Sequence, residues 1–366
     1  MKLSITREAL LKPLQLVAGV VERRQTLPIL ANVLITREGD RVSMTGTDLE
    51  VEIVGWVTLD GPGEDGSVTV PARKLVDICR SLPDAALISF STEDAAATII
   101  SGRSRFTLSS LPASEFPSID DSLGQLEFSG TEGALKQMID NTAFAMAHQD
   151  VRYYLNGMLW EGREGKLRAV ATDGHRLAMT TMSMPIGAEQ KIQAILPRKA
   201  VVELSRMLSG DGEANVVIGT THIRVVTGEF RFTSKLVDGA YPDYDRVLPR
   251  GGKQILIGNR EDLRNAFART AILSNEKYRG VRLMLTADQL RIVANNPVQE
   301  EAEEEIAVTY RGDEMEVGFN VGYILDALNV MRGTEARFTL SDANSSALVE
   351  DPAAENSLYV IMPMRL

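Results

Sequence analysis

One cysteine and three histidines are all that this chain of 366 residues offers to thiol or imidazole chemistry. Cys79 has no second cysteine to bond, so no intramolecular disulfide forms and a reducing compartment is indicated. His148, His175 and His222 have no histidine or cysteine neighbour at a zinc-ligand spacing. The glycine-rich patterns of a P-loop, a dinucleotide fold and a hydrolase nucleophile elbow are all missing. Only Asp173-Gly174-His175 invites a metal or acid–base reading, and a tight Asp-Gly turn beside a polar histidine accounts for it more simply. No catalytic residue, metal or cofactor is assigned.

Long apolar runs are also lacking, so no membrane span is expected. Leu14 to Val21 is apolar and follows Lys12, as in a secretory signal. Its apolar residues Leu10, Leu14, Val17 and Val21 nevertheless recur at helical spacing, flanked by Glu8, Glu22, Arg23 and Arg24. That pattern predicts a folded helix and a cytoplasmic protein. A surplus of cations is absent too: the formal net charge is −11, which argues against holding nucleic acid by charge alone. Charge is nonetheless uneven. Arg7, Lys12, Arg73, Lys74 and Arg80 lie in the first third, and Glu300, Glu301, Glu303, Glu304 and Glu305 in the last.

What the chain does have is repetition. Leu75-Val76-Asp77-Ile78 returns as Val201-Val202-Glu203-Leu204 and as Ile324-Leu325-Asp326-Ala327, with the acids 126 and 123 residues apart. Each copy has helical spacing, with Arg73, Lys74, Asp77 and Arg80, or Arg198, Lys199, Glu203 and Arg206, on the polar face. Pro71, Pro197 and Asn320 stand where these helices begin. Ala9-Leu10-Leu11-Lys12 pairs with Ala134-Leu135-Lys136-Gln137, Thr47-Asp48-Leu49 with Thr172-Asp173-Gly174, and Gly102 to Thr107 with Gly228 to Thr233, at the same period. Three domains of about 120 residues follow, each with two amphipathic helices among strands. Residues 1–24 read as helix, 71–82 as helix, 131–146 as helix and 153–161 as strand, and 112–125 and 243–252 read as linkers.

Two stretches stand out. His148-Gln149-Asp150-Val151-Arg152-Tyr153-Tyr154 sets two tyrosines beside an arginine, a surface suited to phosphates and bases, though an ordinary strand entry explains it equally well. The chain ends on Tyr359-Val360-Ile361-Met362-Pro363-Met364-Arg365-Leu366, apolar where most termini are polar, and methionine suits adaptable grooves.

These stretches, with Leu27-Pro28-Ile29-Leu30, Ala171 to Leu177 and Leu273-Ser274-Asn275-Glu276-Lys277, resemble the bacterial β sliding clamps over the whole chain. The resemblance implies an α+β fold of three tandem clamp domains, placed here at 1–122, 128–248 and 253–366. It also implies a homodimer closed head to tail into a ring around double-stranded DNA. The partners implied are the replicative DNA polymerase, an ATP-dependent clamp loader, translesion polymerases and mismatch-repair proteins, with no membrane. By resemblance Arg24, Arg73, Gln149, Tyr153 and Tyr154 contact DNA; the helix faces add Arg80, Arg198 and Arg206. The partner-peptide cleft implied comprises Leu155, Thr172, Gly174, His175, Arg176 and Leu177. It continues with Pro242, Arg246 and Val247, and closes with Val360, Met362, Pro363, Met364 and Arg365. The dimer seam is assigned to Lys74, Arg103, Arg105, Phe106 and Leu108 on one side. Ile272, Leu273, Glu300, Glu301, Glu303 and Glu304 form the other, with Phe106 and Leu108 as the apolar centre and the charges as a rim. Ala96 and Val298 stand where the resemblance leads one to expect charge.

Overall fold

The computed structural model describes residues 1–21, 27–93, 95–119, 124–187 and 191–365, with the Glu355 side chain set aside. Arg24 and Leu366, singled out above, lie outside the described residues. Two compact units emerge: Met1–Lys136 with Met184–Gly187 and Lys199–Val237, and Gln137–Ser183 with Ala188–Arg198 and Asp238–Leu366.

Among the described residues the chain runs strand, helix, three strands, six times over. The first pass is β1 (Lys2–Thr6), α1 (Arg7–Val20), β2 (Asn32–Glu38), β3 (Arg41–Thr47) and β4 (Val51–Thr58). The second is β5 (Gly66–Pro71), α2 (Ala72–Ser81), β6 (Leu87–Glu93), β7 (Ala96–Ser101) and β8 (Ser104–Ser109). The third is β9 (Gly124–Thr131), α3 (Glu132–Asp140), β10 (Gly157–Arg163), β11 (Lys166–Thr172) and β12 (Arg176–Ser183). The fourth is β13 (Ile192–Pro197), α4 (Arg198–Met207), β14 (Glu213–Gly219), β15 (His222–Val226) and β16 (Phe230–Lys235). The fifth is β17 (Gln254–Asn259), α5 (Arg260–Thr270), β18 (Gly280–Thr286), β19 (Gln289–Asn295) and β20 (Glu301–Ala307), followed by the short β21 (Thr309–Tyr310). The sixth is β22 (Met315–Asn320), α6 (Val321–Val330), β23 (Glu335–Leu340), β24 (Ala347–Asp351) and β25 (Ala354–Ile361).

Every helix begins on the residue after a strand. Asn259 and Asn320 make the turn by capping: each side-chain oxygen accepts from two backbone N–H groups of the helix it precedes. Pro71 closes β5 and sits one residue before α2, so it serves as the hinge of the junction and not as the first helical residue. On α2, Leu75, Val76 and Cys79 are buried while Arg73, Lys74, Asp77 and Arg80 are exposed, as the periodicity predicts. Burial pushes the Cys79 thiol up to about 11, which makes it a packing residue and not a nucleophile.

The opening strand of each pass crosses to its neighbour's sheet. β1 pairs with β6, β5 with β2, β9 with β14, β13 with β10, β17 with β23 and β22 with β18. The closing strands then join the sheets further: β4 pairs antiparallel with β16, and β12 with β25. The result is an eight-stranded sheet, β5-β2-β3-β4-β16-β15-β14-β9, in the first unit. A nine-stranded sheet, β13-β10-β11-β12-β25-β24-β23-β17-β21, forms in the second. Two four-stranded sheets remain, β1-β6-β7-β8 and β20-β19-β18-β22, and they leave β8 and β20 as edges.

The sequence reading needs correction at the strand–helix junctions. Residues 1–24 are not one helix, because Leu3 and Ile5 alternate with exposed neighbours and pair with β6 before α1 begins. The 131–146 helix ends at Asp140 and continues as turns, and 153–156 forms a 3-10 turn before β10. Strand β9 begins inside the stretch read as the first linker. Close approach decides one further detail. A Cβ on Gly46 would stand 2.7 Å from the Val17 carbonyl oxygen, and one on Gly55 3.0 Å from Pro13 Cβ, so two glycines let α1 lie against β3 and β4. Gly46→Ala is therefore expected to cost about 1–3 kcal/mol by forcing α1 outward, read as a lower urea midpoint. An unchanged midpoint would contradict this packing.

Candidate peptide-binding cleft

The turn between β11 and β12 is built by its own side chains. Thr172 Oγ1 accepts from Gly174 N at 3.1 Å and donates to the Arg176 carbonyl at 2.6 Å. Asp173 Oδ1 accepts from the backbone N–H groups of His175 and Arg176, at 2.9 and 3.0 Å. Gly174 has φ +87°, where a glycine is least strained. Asp173 Oδ2 takes Arg176 Nε at 3.1 Å, so both carboxylate oxygens are spent on structure. The Asp173 carboxylate is thus engaged in holding the turn, and no metal-holding cluster occurs among the described residues.

Arg176 fastens this turn to α6. Its guanidinium donates to Asp326 and, at 2.7 Å, to the Phe144 carbonyl. It also lies over the rings of Tyr323 and Phe144, 4.5 and 5.3 Å from their centroids. Asp326 is the acid of the third helical repeat, so the repeated acid here anchors a neighbouring element. The chain's end closes the arrangement, with Met362 N donating to the His175 carbonyl at 3.0 Å. The opposite wall is held by Tyr241, whose hydroxyl accepts from Thr172 N at 3.1 Å, and by Tyr244. Tyr244 donates to Glu161 at 3.0 Å and accepts from Arg168 at 2.7 Å, and burial pushes its hydroxyl up to about 12. Burial also works against the Glu161 carboxylate, but hydrogen bonds from Lys191, Gln193 and Tyr244 outweigh it and hold the group low.

Between these walls lies a mostly apolar cavity of about 160 Å³. Leu155, Leu177 and Val360 are its buried base; Pro242 and Val247 form one side, and Thr172, Gly174, His175, Arg176 and Met362 the other. The structure thus gathers these residues round one concavity. Four others named from the sequence do not line it. Arg246 points outward and pairs with Asp243 at 2.8 Å. Met364 is turned away by a bridge from its N–H to the Gly318 carbonyl at 2.8 Å, and Pro363 and Arg365 flank it. Arg152, Asp243 and Tyr244 line the cavity and were missed. Arg152 lies over Gly174 and is clamped by Asp150 at 2.9 and 3.0 Å. Those bonds depress the Asp150 carboxyl to about 2. The arginine next to Tyr153 was the available signal.

Within the chain the β4–β16 pairing forms a first seam and the β12–β25 pairing a second, and the first has the same turn with different contents. Thr47 Oγ1 and Asp48 Oδ1 accept from Leu49, Glu50 and Val51 as their counterparts do, and Leu49 has φ +77°. Where Leu177 and Met362 stand in the second seam, Glu52 and Lys235 stand here, and Lys235 pairs with Glu50 at 3.1 Å. Charge occupies the position that carries an apolar cleft in the second seam.

The residues assigned to DNA are placed as follows. Arg73 and Arg80 are exposed on α2; Gln149 and Tyr153 are exposed, and Tyr154 is half-buried, in the loop that also carries Arg152. Val151 in that loop is 95 % exposed, a bare apolar tip that sequence reasoning passed over. Arg198 is half-buried and donates to the Met146 carbonyl, and Arg206 is exposed and paired with the buried Glu203 at 2.9 Å. On the seam residues, Lys74, Arg103 and Arg105 are exposed and Phe106 is half-buried. Leu108 belongs to the chain's own core. Ile272 is 76 % exposed and Leu273 partly so. Glu300 and Glu301 are exposed, but Glu303 pairs with Arg291 at 2.6 Å and Glu304 with Arg269. Those two acids are therefore already engaged within the chain. Val298 is exposed, and Ala96 pairs with Ser109 between β7 and β8.

Sequence models of the DNA polymerase III beta subunit match along the chain, its N-terminal domain over residues 1–120, its central domain over 131–243 and its C-terminal domain over 245–365. The chain belongs to the DNA polymerase III beta subunit family, the beta sliding clamps. It is 59 % identical over 367 residues to the beta sliding clamp of Pseudomonas aeruginosa and 53 % identical over 368 to that of Escherichia coli K12, with full coverage of both partners. A crystal structure of the Pseudomonas aeruginosa clamp bound to griselimycin superposes with a TM-score of 0.98 over the whole of both chains, at 59 % identity. The Caulobacter crescentus clamp superposes at 0.93, with 41 % identity over 100 % of this chain and 99 % of that one.

Removing the Arg176 anchor should loosen the cleft from α6. Arg176→Met is expected to lower the stability of the C-terminal region by about 1–3 kcal/mol, and to weaken a cleft-binding peptide at least tenfold in fluorescence polarisation. Met362→Asp should weaken the same peptide without changing the unfolding midpoint. Equal affinity in both variants would count against this site.

Proposed function

We propose that this chain is a non-catalytic processivity clamp. Two copies close head to tail around duplex DNA, and the cleft of each holds short peptide segments of the replicative polymerase, the ATP-dependent loader, translesion polymerases and mismatch-repair proteins. The domains are 1–122, 128–248 and 253–366, and the protein works in the cytoplasm. No helix among the described residues is long and apolar enough to cross a membrane.

One observation carries the ring. Closing strands pair across each seam, β4 with β16 and β12 with β25, which joins pass one to pass four and pass three to pass six. The closing strands of passes two and five, β8 and β20, pair on one side only, with β7 and β19, and leave their other edge open among the described residues. The same rule joins β8 of one copy to β20 of another, a heterologous contact that two copies satisfy by closing on each other. The edges suit it: β8 exposes Arg105 and its flanking Arg103, and β20 exposes Glu301, Glu303 and Glu305. Half-buried Phe106 and exposed Ile272 supply apolar surface.

DNA is held by enclosure, with Arg73, Arg80, Gln149, Tyr153 and Tyr154 touching phosphates loosely enough to slide. Arg24 is assigned to the same surface by family likeness. An acidic remainder keeps the duplex off other surfaces.

Loaded protein is expected to stay on nicked circular DNA and to run off once the circle is cut; equal retention on both forms would refute enclosure. Phe106→Asp on the β8 edge should convert the dimer to monomer in light scattering while circular dichroism stays unchanged. A dimer that survives this change would place the seam elsewhere.

A further inference from the structure

The eight-stranded sheet has a second face, turned away from α1. Alternation along β3 and β4 sends Val42, Met44, Ile53 and Gly55 toward the helix, and Arg41, Ser43, Val54 and Trp56 to the other side. On that side is a cavity of about 230 Å³, bordered by Thr36, Glu38, Arg41, Ser43, Trp56 and Arg231 over a floor of Val54. The clamp reading uses none of these residues.

Two guanidinium groups border this cavity, Arg41 with no carboxylate partner among the described residues and Arg231 in a long ion pair with Glu52. Arg41 lies 4.4 Å from the Trp56 ring centroid, and its side chain makes no hydrogen bond or ion pair among the described residues. Arg231 reaches Glu52 only at 3.7 Å, beyond hydrogen-bond distance, and its Nε is enclosed without an acceptor. The Arg41 guanidinium, stacked on the indole and otherwise unpartnered among the described residues, is left for a ligand's carboxylate to meet. Trp56 is fixed by its Nε1 bond to the Gly228 carbonyl at 3.0 Å, which makes its ring a rigid wall.

The shape and charge restrict the occupant. The volume lies below the roughly 300–1,000 Å³ of a small-molecule pocket and suits one or two side chains. Glu38 at one border repels an anion there and steers it toward Arg231. With Glu52 behind Arg231, the carboxylates interrupt the cations, so the face is no track for a run of phosphates. Val54 and the indole favour an apolar neighbour beside the anion. We propose that this cavity docks a protein segment through a glutamate or aspartate side chain followed by an apolar residue. It is a partner site distinct in residues and chemistry from the cleft.

Trp56 supplies the readout, because Trp160, the other of the two tryptophans, is fully buried. The full-length protein is titrated with the blocked octapeptide Gly-Ser-Gly-Glu-Leu-Gly-Ser-Gly, its glutamine counterpart, inorganic phosphate and a thymidine oligonucleotide. The glutamate peptide should give a saturable fluorescence change, at least tenfold weaker for the glutamine peptide and at least tenfold weaker in Arg231→Gln or Arg41→Gln. His175→Ala, in the cleft, should leave it unchanged. No saturation, equal binding of the glutamine peptide, or full binding by whichever arginine variant remains folded overturns the proposal. Tighter saturation by phosphate or the oligonucleotide than by the glutamate peptide overturns it as well.

Discussion

Backbone pairing between closing strands is the contact on which the rest of this molecule depends. Where β4 meets β16 and β12 meets β25, the sheet runs on without a break, so each seam inherits the cooperativity of a ladder. The helices could not do this, because side-chain packing alone leaves interfaces free to adjust. A ladder fixes register, and register fixes which side chains arrive together. That is how Leu177 on β12 and Val360 on β25 come to share one floor.

The two seams show how one backbone plan gives two outcomes. Both carry a threonine–aspartate turn with the same internal hydrogen bonds and a residue at positive φ. In one, Glu50 and Lys235 cover the position with an ion pair. In the other, Leu177 and Met362 leave apolar surface that Arg176 supports from the side, through Asp326 and two aromatic rings. An apolar cavity at one seam and a charged surface at the other thus follow from side-chain replacement on an otherwise duplicated frame. An exposed ion pair contributes little to stability, so charge at the first seam serves mainly to withhold a greasy surface.

Much of this was legible in the chain, and the gaps have physical causes. The acids Asp77, Glu203 and Asp326 revealed the threefold period because helical amphipathicity survives divergence. They did not reveal the sixfold one, because each opening strand is five to eight residues long and leads straight into a helix. Lys2 to Thr6 alternates only twice, and the apolar residues beyond it extend the helical pattern over it. Cleft residues on the Thr172–Leu177 turn were named correctly as neighbours of the C-terminus, since both stretches are unusual locally. Tyr244 went unseen because its role depends on Glu161, 83 residues away, which no local pattern advertises, while Arg152 was noticed beside the tyrosines but not placed at the cleft. Arg206 was assigned to DNA from its helix face, and its pairing with Glu203, three residues earlier on the same face, is a helical-neighbour contact.

The six junctions at which a strand becomes a helix with no residue between them have a practical side. An inserted label there would break a cap or a ladder at once. The hairpin at Asp342 is different: its aspartate bonds only to Asn344 and Ser345 within the same tight loop. A fluorophore or affinity handle spliced into that tip interrupts only the bonds of its own loop, and the hairpin becomes the natural place from which to watch the protein at work.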